Sequence, residues 1–292
     1  MRNCSPLRYP GGKSLMTPFF VELFELNRMG CPAYAEPYAG GAGAAINLLL
    51  SERVSDVFIN DANIGVFSFW YYFVQNPQQF IDKVNTCTVT LEEWRKQKEI
   101  IMNANTPSFE LGFATFYMTR TNRSGIINAG PIGGTSDLKQ AGAKYKIDCR
   151  FNKENLIKRL ETIANYTNRI HVSCLDAIDF VRTLHNETFV YLDPPYYQKG
   201  ECLYMNHYTS EGHAELAKYL INEAQFHWIL SYDNVEPIRN LYQVRPLYQF
   251  TIPYTVQNSK SGKELLTHSE NIIFPHEPVI KRSTKDIIIE RV

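Results

Sequence analysis

Short apolar runs alternate with helical patterns in the first 65 residues. Residues 33–38 form a strand-length apolar segment that leads into a glycine-rich turn at 40–43. An apolar helix start follows at 44–50, and a second strand-like run at 57–60 ends at Asp61. Apolar runs of this length, bounded by turn residues, predict strands, and their alternation with helices is typical of an α/β sheet.

The pattern changes between residues 66 and 154. Aromatic and polar helical stretches extend to about residue 117, with Thr90 ahead of Glu92 and Glu93 as a helix-start signal. Residues 119–150 are rich in Gly, Asn, Lys and Arg and have little periodicity, which indicates loops or a hairpin.

Strand and helix alternate again after about residue 155, with strand-length apolar runs at 170–173, 189–192 and 228–231. The alternation predicts a single parallel-sheet domain that is interrupted in the chain by a second module. We therefore expect a discontinuous domain over residues 1–65 and 155–292, with an inserted, mostly helical module over 66–154.

Composition narrows the class of protein only slightly. The 292 residues suit a core domain with a smaller module, and a formal net charge of zero leaves room for a basic cleft on an otherwise acidic surface. The six cysteines and seven histidines show no metal-ligand spacing, so no metal site is expected. Neither a signal peptide nor a membrane-spanning run is present in the sequence, which predicts a cytoplasmic protein without membrane contact.

The segment Asp193-Pro194-Pro195-Tyr196 directly follows the predicted strand at 189–192. Ligands of open α/β sheets bind beyond the carboxyl ends of strands, and two prolines fix the direction of the Asp193 side chain and the Pro194 carbonyl. Two acceptors beside an aromatic ring suit an exocyclic amino group on a planar base. Accepting both N–H groups frees the nitrogen lone pair for attack on a methyl sulfonium, which is catalysis by positioning and electrostatics. A rigid turn that closes a strand is the structural alternative.

A second candidate site is the glycine-rich segment 36–43, which lies between a predicted strand and a predicted helix. Such a turn lets a ligand approach the backbone closely, and Asp61 ends the next strand, where a carboxylate accepts hydrogen bonds from ribose hydroxyls. The dinucleotide fingerprint fits less well, because Ile46 occupies a position that requires Gly or Ala.

The segment Gly12-Lys13-Ser14 imitates the end of a phosphate-binding loop. That loop also needs a glycine five residues before Gly12, where this chain has Leu7, and a strand ahead of it. An ATPase is therefore disfavoured.

Together these segments resemble DNA adenine methyltransferases of the Dam or D12 type. Residues 8–13 look like the family's N-terminal cofactor motif, 36–43 like its cofactor loop and 193–196 like its catalytic motif. Residues 116–125 resemble its recognition segment and 173–176 its adenine-contacting acidic motif, and 231–234 and 263–271 also look family-like. The resemblance follows the family's order along nearly the whole chain.

The resemblance implies a Rossmann-like class I methyltransferase sheet with an inserted, mostly helical target-recognition domain. It implies N6-adenine methylation of double-stranded DNA at a short specific sequence, with S-adenosylmethionine as cofactor and S-adenosylhomocysteine as product. The target base would be flipped out of the helix. The implied catalytic residues are Asp193, Pro194, Pro195 and Tyr196. The implied cofactor-binding residues are Tyr9, Lys13, Glu36, Pro37, Tyr38, Gly40, Asp61, Asp176 and Asp193.

The DNA-binding residues implied by this comparison are Arg120, Asn122, Arg123, Ser124, Gly125 and Lys139. Thr119 and Arg123 depart from the family pattern, which often has Asn and Phe there, so a GATC target is not implied. Lys144, Lys146 and Arg150 add to a predicted positive surface for phosphates, with a solvated charged face as the alternative. We expect a monomer in a bacterial or phage-infected cell, with a restriction endonuclease as a functional partner but not a stable complex.

Three other functions compete with this prediction. A methyltransferase acting on RNA adenine shares the catalytic chemistry, whereas enzymes acting on protein glutamine usually carry Asn at the position of Asp193. A non-enzymatic DNA-binding relative would be expected to have lost part of the 193–196 motif or the glycine loop. A nicotinamide oxidoreductase leaves the Asp193 motif unexplained.

Overall fold

The computed structural model describes residues 4–197, 209–252 and 262–292, and Cys202 and His207 lie outside these ranges. Its main sheet contains the strands β1 Tyr34–Glu36, β2 Val57–Asn60, β3 Ile170–Ser173, β4 Phe189–Leu192, β5 His227–Asp233, β6 Tyr248–Ile252, β7 Gly262–His268 and β10 Glu290–Arg291. A separate pair consists of β8 Val279–Ile280 and β9 Ile287–Ile288. The strand order in the main sheet is β10-β6-β7-β5-β4-β1-β2-β3.

The sheet is mostly parallel. Strands β3, β2, β1, β4 and β5 are parallel neighbours, and β7 runs antiparallel between β5 and β6. Strands β1 and β4 are completely buried, as expected for parallel strands covered on both faces. The order reverses between β1 and β4, where a crevice forms beyond the carboxyl ends of the strands.

The helices lie on both faces of this sheet. They are α1 Thr17–Leu26, α2 Gly43–Leu50, α3 Ile64–Gln75, α4 Pro77–Thr86, α5 Leu91–Asn103, α6 Phe109–Thr121, α7 Asp137–Gly142, α8 Lys153–Ala164, α9 Ala177–Arg182, α10 Ser210–Asn222 and α11 Glu236–Tyr242. Side-chain caps define several of their starts. Asn63, Thr90 and Ser108 each accept a hydrogen bond from a backbone N–H in the first turn of α3, α5 and α6.

Alternate residues of β4 supply two hydrophobic cores. Phe189 and Tyr191 belong to the core on one face of the sheet, whereas Val190 and Leu192 belong to the core on the other. Aromatic residues of α3 and α6, such as Phe69 and Phe116, are part of the first core and stack with an interplanar angle of 8°. The helices between residues 66 and 154 therefore share a core with the sheet, and the domain boundaries at 65 and 155 stay a prediction.

Most predicted elements are present. The predicted strands at 57–60, 170–173 and 189–192 match β2, β3 and β4, and Thr90 caps α5 as expected. Residues 119–150 contain the end of α6, the short helix α7 and a bridge between Asn122 and Pro131. The central α/β sheet is confirmed.

Candidate active site

A cleft of about 950 Å³ opens at the carboxyl ends of β1, β2 and β4. It is lined by the glycine-rich turn after β1, by the N-terminal segment 9–13 and by the starts of α3 and α9. Its walls include all nine residues that the sequence assigned to the cofactor: Tyr9, Lys13, Glu36, Pro37, Tyr38, Gly40, Asp61, Asp176 and Asp193. The strand order thus collects at one place residues that are up to 184 positions apart.

The turn after β1 packs tightly on the N-terminal segment. Gly40 has a φ of +48°, and a Cβ there would lie 2.6 Å from Cδ1 of the Tyr9 ring. Only glycine accommodates both the backbone conformation and this close approach. The Gly40 carbonyl accepts a hydrogen bond of 3.0 Å from the Trp70 indole, so α3 also supports the turn.

Two carboxyls at the wall of the cleft are buried. Burial raises the pKa of Glu36 to about 7, although hydrogen bonds from the Ala45 N–H and the Tyr34 hydroxyl oppose the change. Burial likewise raises the pKa of Asp61 to about 6, against hydrogen bonds from the backbone N–H groups of Asn63 and Gly40. Near neutral pH both carboxyls therefore exchange between a protonated and an ionised form.

Asn60 joins the loops that form the cleft. Its amide donates hydrogen bonds of 3.0 Å to the carbonyls of Pro37 and Leu175, and its Oδ1 accepts from the Leu175 N–H and the Ser173 hydroxyl. This completely buried side chain holds together the loops after β1, β2 and β3. Asp176 then caps α9 with its Oδ1 on the Ile178 N–H and is exposed at the rim.

Asp193 lies at the end of β4, and its side chain retains 17% exposure. The Lys13 ammonium donates to both carboxylate oxygens, at 2.8 Å to Oδ1 and 2.7 Å to Oδ2. The Ser231 hydroxyl donates to Oδ1 at 2.8 Å and lies 2.6 Å from the Tyr191 hydroxyl. Burial alone would lower the pKa of Lys13, but Asp193 and Glu264 raise it well above the usual value, so Lys13 is charged.

The other residues of the 193–196 motif surround this carboxylate. Pro195 lines the cleft, and Pro194 is buried behind it. Tyr196 is half-buried, and its hydroxyl donates a hydrogen bond to Glu264 Oε1 on β7. The next residue, Tyr197, donates its backbone N–H to Asp233 at 2.9 Å, which ties the loop to the end of β5.

The predicted DNA-binding residues occupy two kinds of environment. The Arg120 guanidinium donates to the carbonyls of Ser5 and Pro6, and the buried Asn122 accepts from the Trp94 indole and donates to two carbonyls of the loop that follows. Arg120 and Asn122 therefore make hydrogen bonds to other parts of the protein, and these bonds hold neighbouring segments together. By contrast, Arg123 and Lys139 are exposed.

A tight turn places the recognition segment beside the cleft. Ser124 and Gly125 both have positive φ, at +57° and +76°, and a Cβ on Gly125 would collide with the Arg8 carbonyl. The loop 125–128 lies against Tyr9 and Pro10. The segment therefore borders the entrance to the cleft, and the role of its residues in DNA binding stays a prediction.

Sequence reasoning missed two residues around the Lys13–Asp193 ion pair. Ser231 and Glu264 fall in two family-like segments, at 231–234 and 263–271, which was the available signal. Ser231 contacts Asp193 and Glu264 lies near Lys13, and both positions depend on β5 pairing with β7, where Ser231 lies opposite Leu266. No local pattern encodes that pairing.

Within residues 4–197, 209–252 and 262–292, no group of three or more His, Cys, Asp or Glu side chains is arranged to hold a metal ion. In the same described part of the chain, no helix combines the length and the apolar character needed to cross a membrane.

An open α/β sheet with a glycine-lined cleft at the reversal of strand order is the arrangement of enzymes that bind nucleotide-type cofactors. The chain matches the family of D12 class N6 adenine-specific DNA methyltransferases over residues 9–258 and belongs to that family. It is also similar to the type II methyltransferase M1.LlaDCHI of Lactococcus lactis subsp. cremoris, with 23% identity over 220 residues that cover 70% of each chain. The protein is accordingly an adenine-specific DNA methyltransferase.

Proposed function

We propose that this enzyme transfers a methyl group from S-adenosylmethionine to N6 of an adenine that is flipped out of double-stranded DNA. The observation that carries the proposal is the position of Asp193 and Pro195 in the wall of the cleft that holds the glycine turn and the buried carboxyls. The proposed donor site and the Asp193 carboxylate therefore share one cavity.

The residues of the cleft fit S-adenosylmethionine. Gly40 keeps the turn free of a Cβ next to Tyr9, and Asp61 at the end of β2 suits the ribose hydroxyls. Tyr9, Tyr38 and Leu175 supply apolar surface for a planar base, and Glu36 is a buried acceptor deeper in the cleft. When bound, S-adenosylmethionine supplies a methyl group made electrophilic by its sulfonium.

Catalysis then depends on what the chain does to the adenine amino group. The nitrogen is a poor nucleophile because its lone pair is delocalised into the ring. The Asp193 carboxylate and the Pro194 carbonyl would each accept one N–H, which favours a tetrahedral nitrogen with its lone pair available. Tyr196 would stack on the flipped base, because N6 cannot reach the cleft while the base stays in the helix.

The proposed DNA surface consists of the loop 125–128 and five exposed basic residues. Arg123, Lys139, Lys144, Lys146 and Arg150 are exposed, and such residues bind backbone phosphates. We further propose that the enzyme acts as a monomer in a bacterial or phage-infected cell. Its methylation would protect DNA from a restriction endonuclease, with which it would form no stable complex.

The direct test is incubation of the purified enzyme with unmethylated genomic DNA and labelled S-adenosylmethionine, followed by sequencing for N6-methyladenine. We expect methylation within one short motif. Asp193→Ala should abolish transfer and leave S-adenosylmethionine affinity within a few-fold, since that residue acts on the base. Transfer to RNA alone, or wild-type turnover by Asp193→Ala, would contradict the proposal.

A further inference from the structure

The catalytic carboxylate is held by groups from three separate parts of the chain. Lys13 comes from the N-terminal segment, Ser231 from β5 and Tyr191 from β4, and all three are almost completely buried. Asp193 lies 180 residues from Lys13 and 38 from Ser231 along the chain. A contact set assembled at this distance restrains the carboxylate in both position and charge.

The direction of the hydrogen bonds follows from the donors available. A serine hydroxyl has one proton, and that of Ser231 is donated to Asp193 Oδ1. The Tyr191 hydroxyl, 2.6 Å from Ser231, must then be the donor to it. Burial raises the pKa of Tyr191 well above its usual value, so the tyrosine keeps its proton. Tyr191 therefore donates a hydrogen bond to Ser231, and Ser231 donates one to Asp193.

Counting acceptor sites shows what is left for a substrate. An ionised carboxylate has about four acceptor sites, two on each oxygen. Oδ1 accepts from both Lys13 and Ser231, and Oδ2 accepts from Lys13. Among the residues that the structure describes, these contacts leave one site, and it is on Oδ2. That matches a target amino group that gives one N–H to Asp193 and the other to the Pro194 carbonyl.

Glu264 completes the arrangement from β7. Its Oε2 lies 3.9 Å from the Lys13 ammonium, and its Oε1 accepts a hydrogen bond from the Tyr196 hydroxyl. The Lys13 ammonium also lies 5.7 Å from the centre of the Tyr196 ring. Lys13 and Glu264 thus connect the carboxylate that would hold the amino group with the ring that would stack on the base.

We propose that Lys13, Ser231 and Glu264 are positioning residues that hold the Asp193 carboxylate in one orientation and leave an acceptor site on Oδ2 for the target amino group. Lys13 then serves the catalytic carboxylate and not the cofactor, although it lines the cofactor cleft. The inference rests on the proposed function, because it concerns the same methyl transfer.

The test compares Lys13→Met and Ser231→Ala with wild type and with Lys218→Met, a control on the exposed face of α10. S-adenosylmethionine affinity is measured by titration, and kcat is measured at saturating cofactor and DNA. We expect kcat of Lys13→Met to fall about 100-fold, with cofactor affinity changed less than about threefold. Ser231→Ala should lose about tenfold in kcat because one hydrogen bond to the Asp193 carboxylate is gone.

The comparison of kcat with cofactor affinity separates positioning from a purely structural role. A loss of folded structure would weaken S-adenosylmethionine binding together with turnover. A residue that only positions Asp193 lowers kcat and leaves the cofactor affinity in place. Lys13→Arg keeps a cation beside Asp193 and should recover part of the kcat that Lys13→Met loses.

Three outcomes would overturn the inference. Lys13→Met with weaker cofactor binding and unchanged kcat would assign Lys13 to the cofactor. Equal loss of kcat and of cofactor affinity in both variants would show that the two residues support the fold and do not position Asp193. If Lys13→Met fails to fold, Ser231→Ala decides, since its small buried change leaves no unpaired charge, and wild-type kcat in it contradicts the proposal. Absence of transfer by the wild-type enzyme would instead reject the proposed function.

Discussion

Glu36 is a single residue whose charge responds strongly to burial. Its pKa of about 7 lies well above the ordinary value of 4.5 for a glutamate, so between these two pH values the folded state binds a proton that the unfolded state has released. The stability that this group contributes is fully present below about pH 4 and is lost as the pH rises through 7. At high pH a buried carboxyl of this kind lowers the stability of the protein and provides a charged acceptor in the cleft.

Replacing Glu36 with Gln should therefore stabilise the cofactor-free enzyme at high pH only. Gln retains an oxygen that accepts from Ala45 and Tyr34 but carries no charge. We expect the free energy of unfolding to rise by about 1–3 kcal/mol at pH 8 and by much less at pH 5, measured by urea denaturation. Glu92→Gln, on an exposed side chain, is the control. An equal gain at both pH values would contradict a charge-based cause.

Asp61 makes a related prediction about the proposed cofactor. Its pKa of about 6 means that the carboxylate is protonated as the pH falls below 6, and a protonated carboxyl has less acceptor capacity. We expect S-adenosylmethionine to bind about tenfold more weakly at pH 5 than at pH 8, by calorimetry. Asp61→Asn should reduce this dependence, whereas Asp176→Asn, at the exposed rim, should keep it. Equal pH dependence in wild type and Asp61→Asn would remove Asp61 from the cofactor site.

At the scale of elements, the backbones of α3 and α6 approach each other closely at Gly112. A Cβ on Gly112 would lie 2.7 Å from the Ser68 carbonyl oxygen and 2.8 Å from the Phe69 nitrogen, and both of these atoms belong to the backbone of α3. Backbone cannot move aside as a flexible side chain can. Gly112 therefore sets the distance between α6 and α3, and α3 is the helix whose Trp70 supports the turn at Gly40.

Gly112→Ala should accordingly destabilise the protein by about 1–3 kcal/mol in thermal or urea unfolding. Gly142→Ala is a matched control, because a Cβ at that position meets no atom within 4 Å. It should change stability by less than about 0.5 kcal/mol. Similar losses in the two variants would contradict the contact between α6 and α3 as the cause, since the lost backbone freedom of a Gly→Ala change by itself favours the folded state.

At the scale of the whole molecule, the net charge is zero, because lysines and arginines together number 30 and so do aspartates and glutamates. Any attraction for DNA must therefore come from how these charges are distributed. Arg123 is exposed in the segment that borders the cleft entrance, and Lys139 is exposed on α7. Both remain predicted phosphate contacts.

If Arg123 and Lys139 bind phosphates, Lys139→Ala should weaken duplex binding for every sequence alike. The slope of log affinity against log salt concentration should fall by about 0.9, as for one phosphate contact. Fluorescence anisotropy with a labelled duplex at several salt concentrations measures both effects. Lys218→Ala, exposed on α10, should leave the slope unchanged, and an unchanged slope in Lys139→Ala would place that residue outside the DNA surface.

Much of the molecule was predictable from local pattern. The strands at 57–60, 170–173 and 189–192 follow from apolar runs of strand length, because buried parallel strands need apolar residues on both faces. The glycine turn and the 193–196 motif stand out because their chemistry is contained in a few consecutive residues. The order of these motifs along the chain also indicated the family to which the chain belongs.

Only the tertiary structure decided which of these pieces meet. The pairing of β1 with β4 and of β5 with β7 depends on packing between segments far apart in the chain, which periodicity does not encode. That pairing brings Lys13 and Ser231 onto Asp193 and directs Arg120 and Asn122 into the protein. The sequence by itself thus determined the elements and the chemical groups, whereas long-range packing determined which group each one touches.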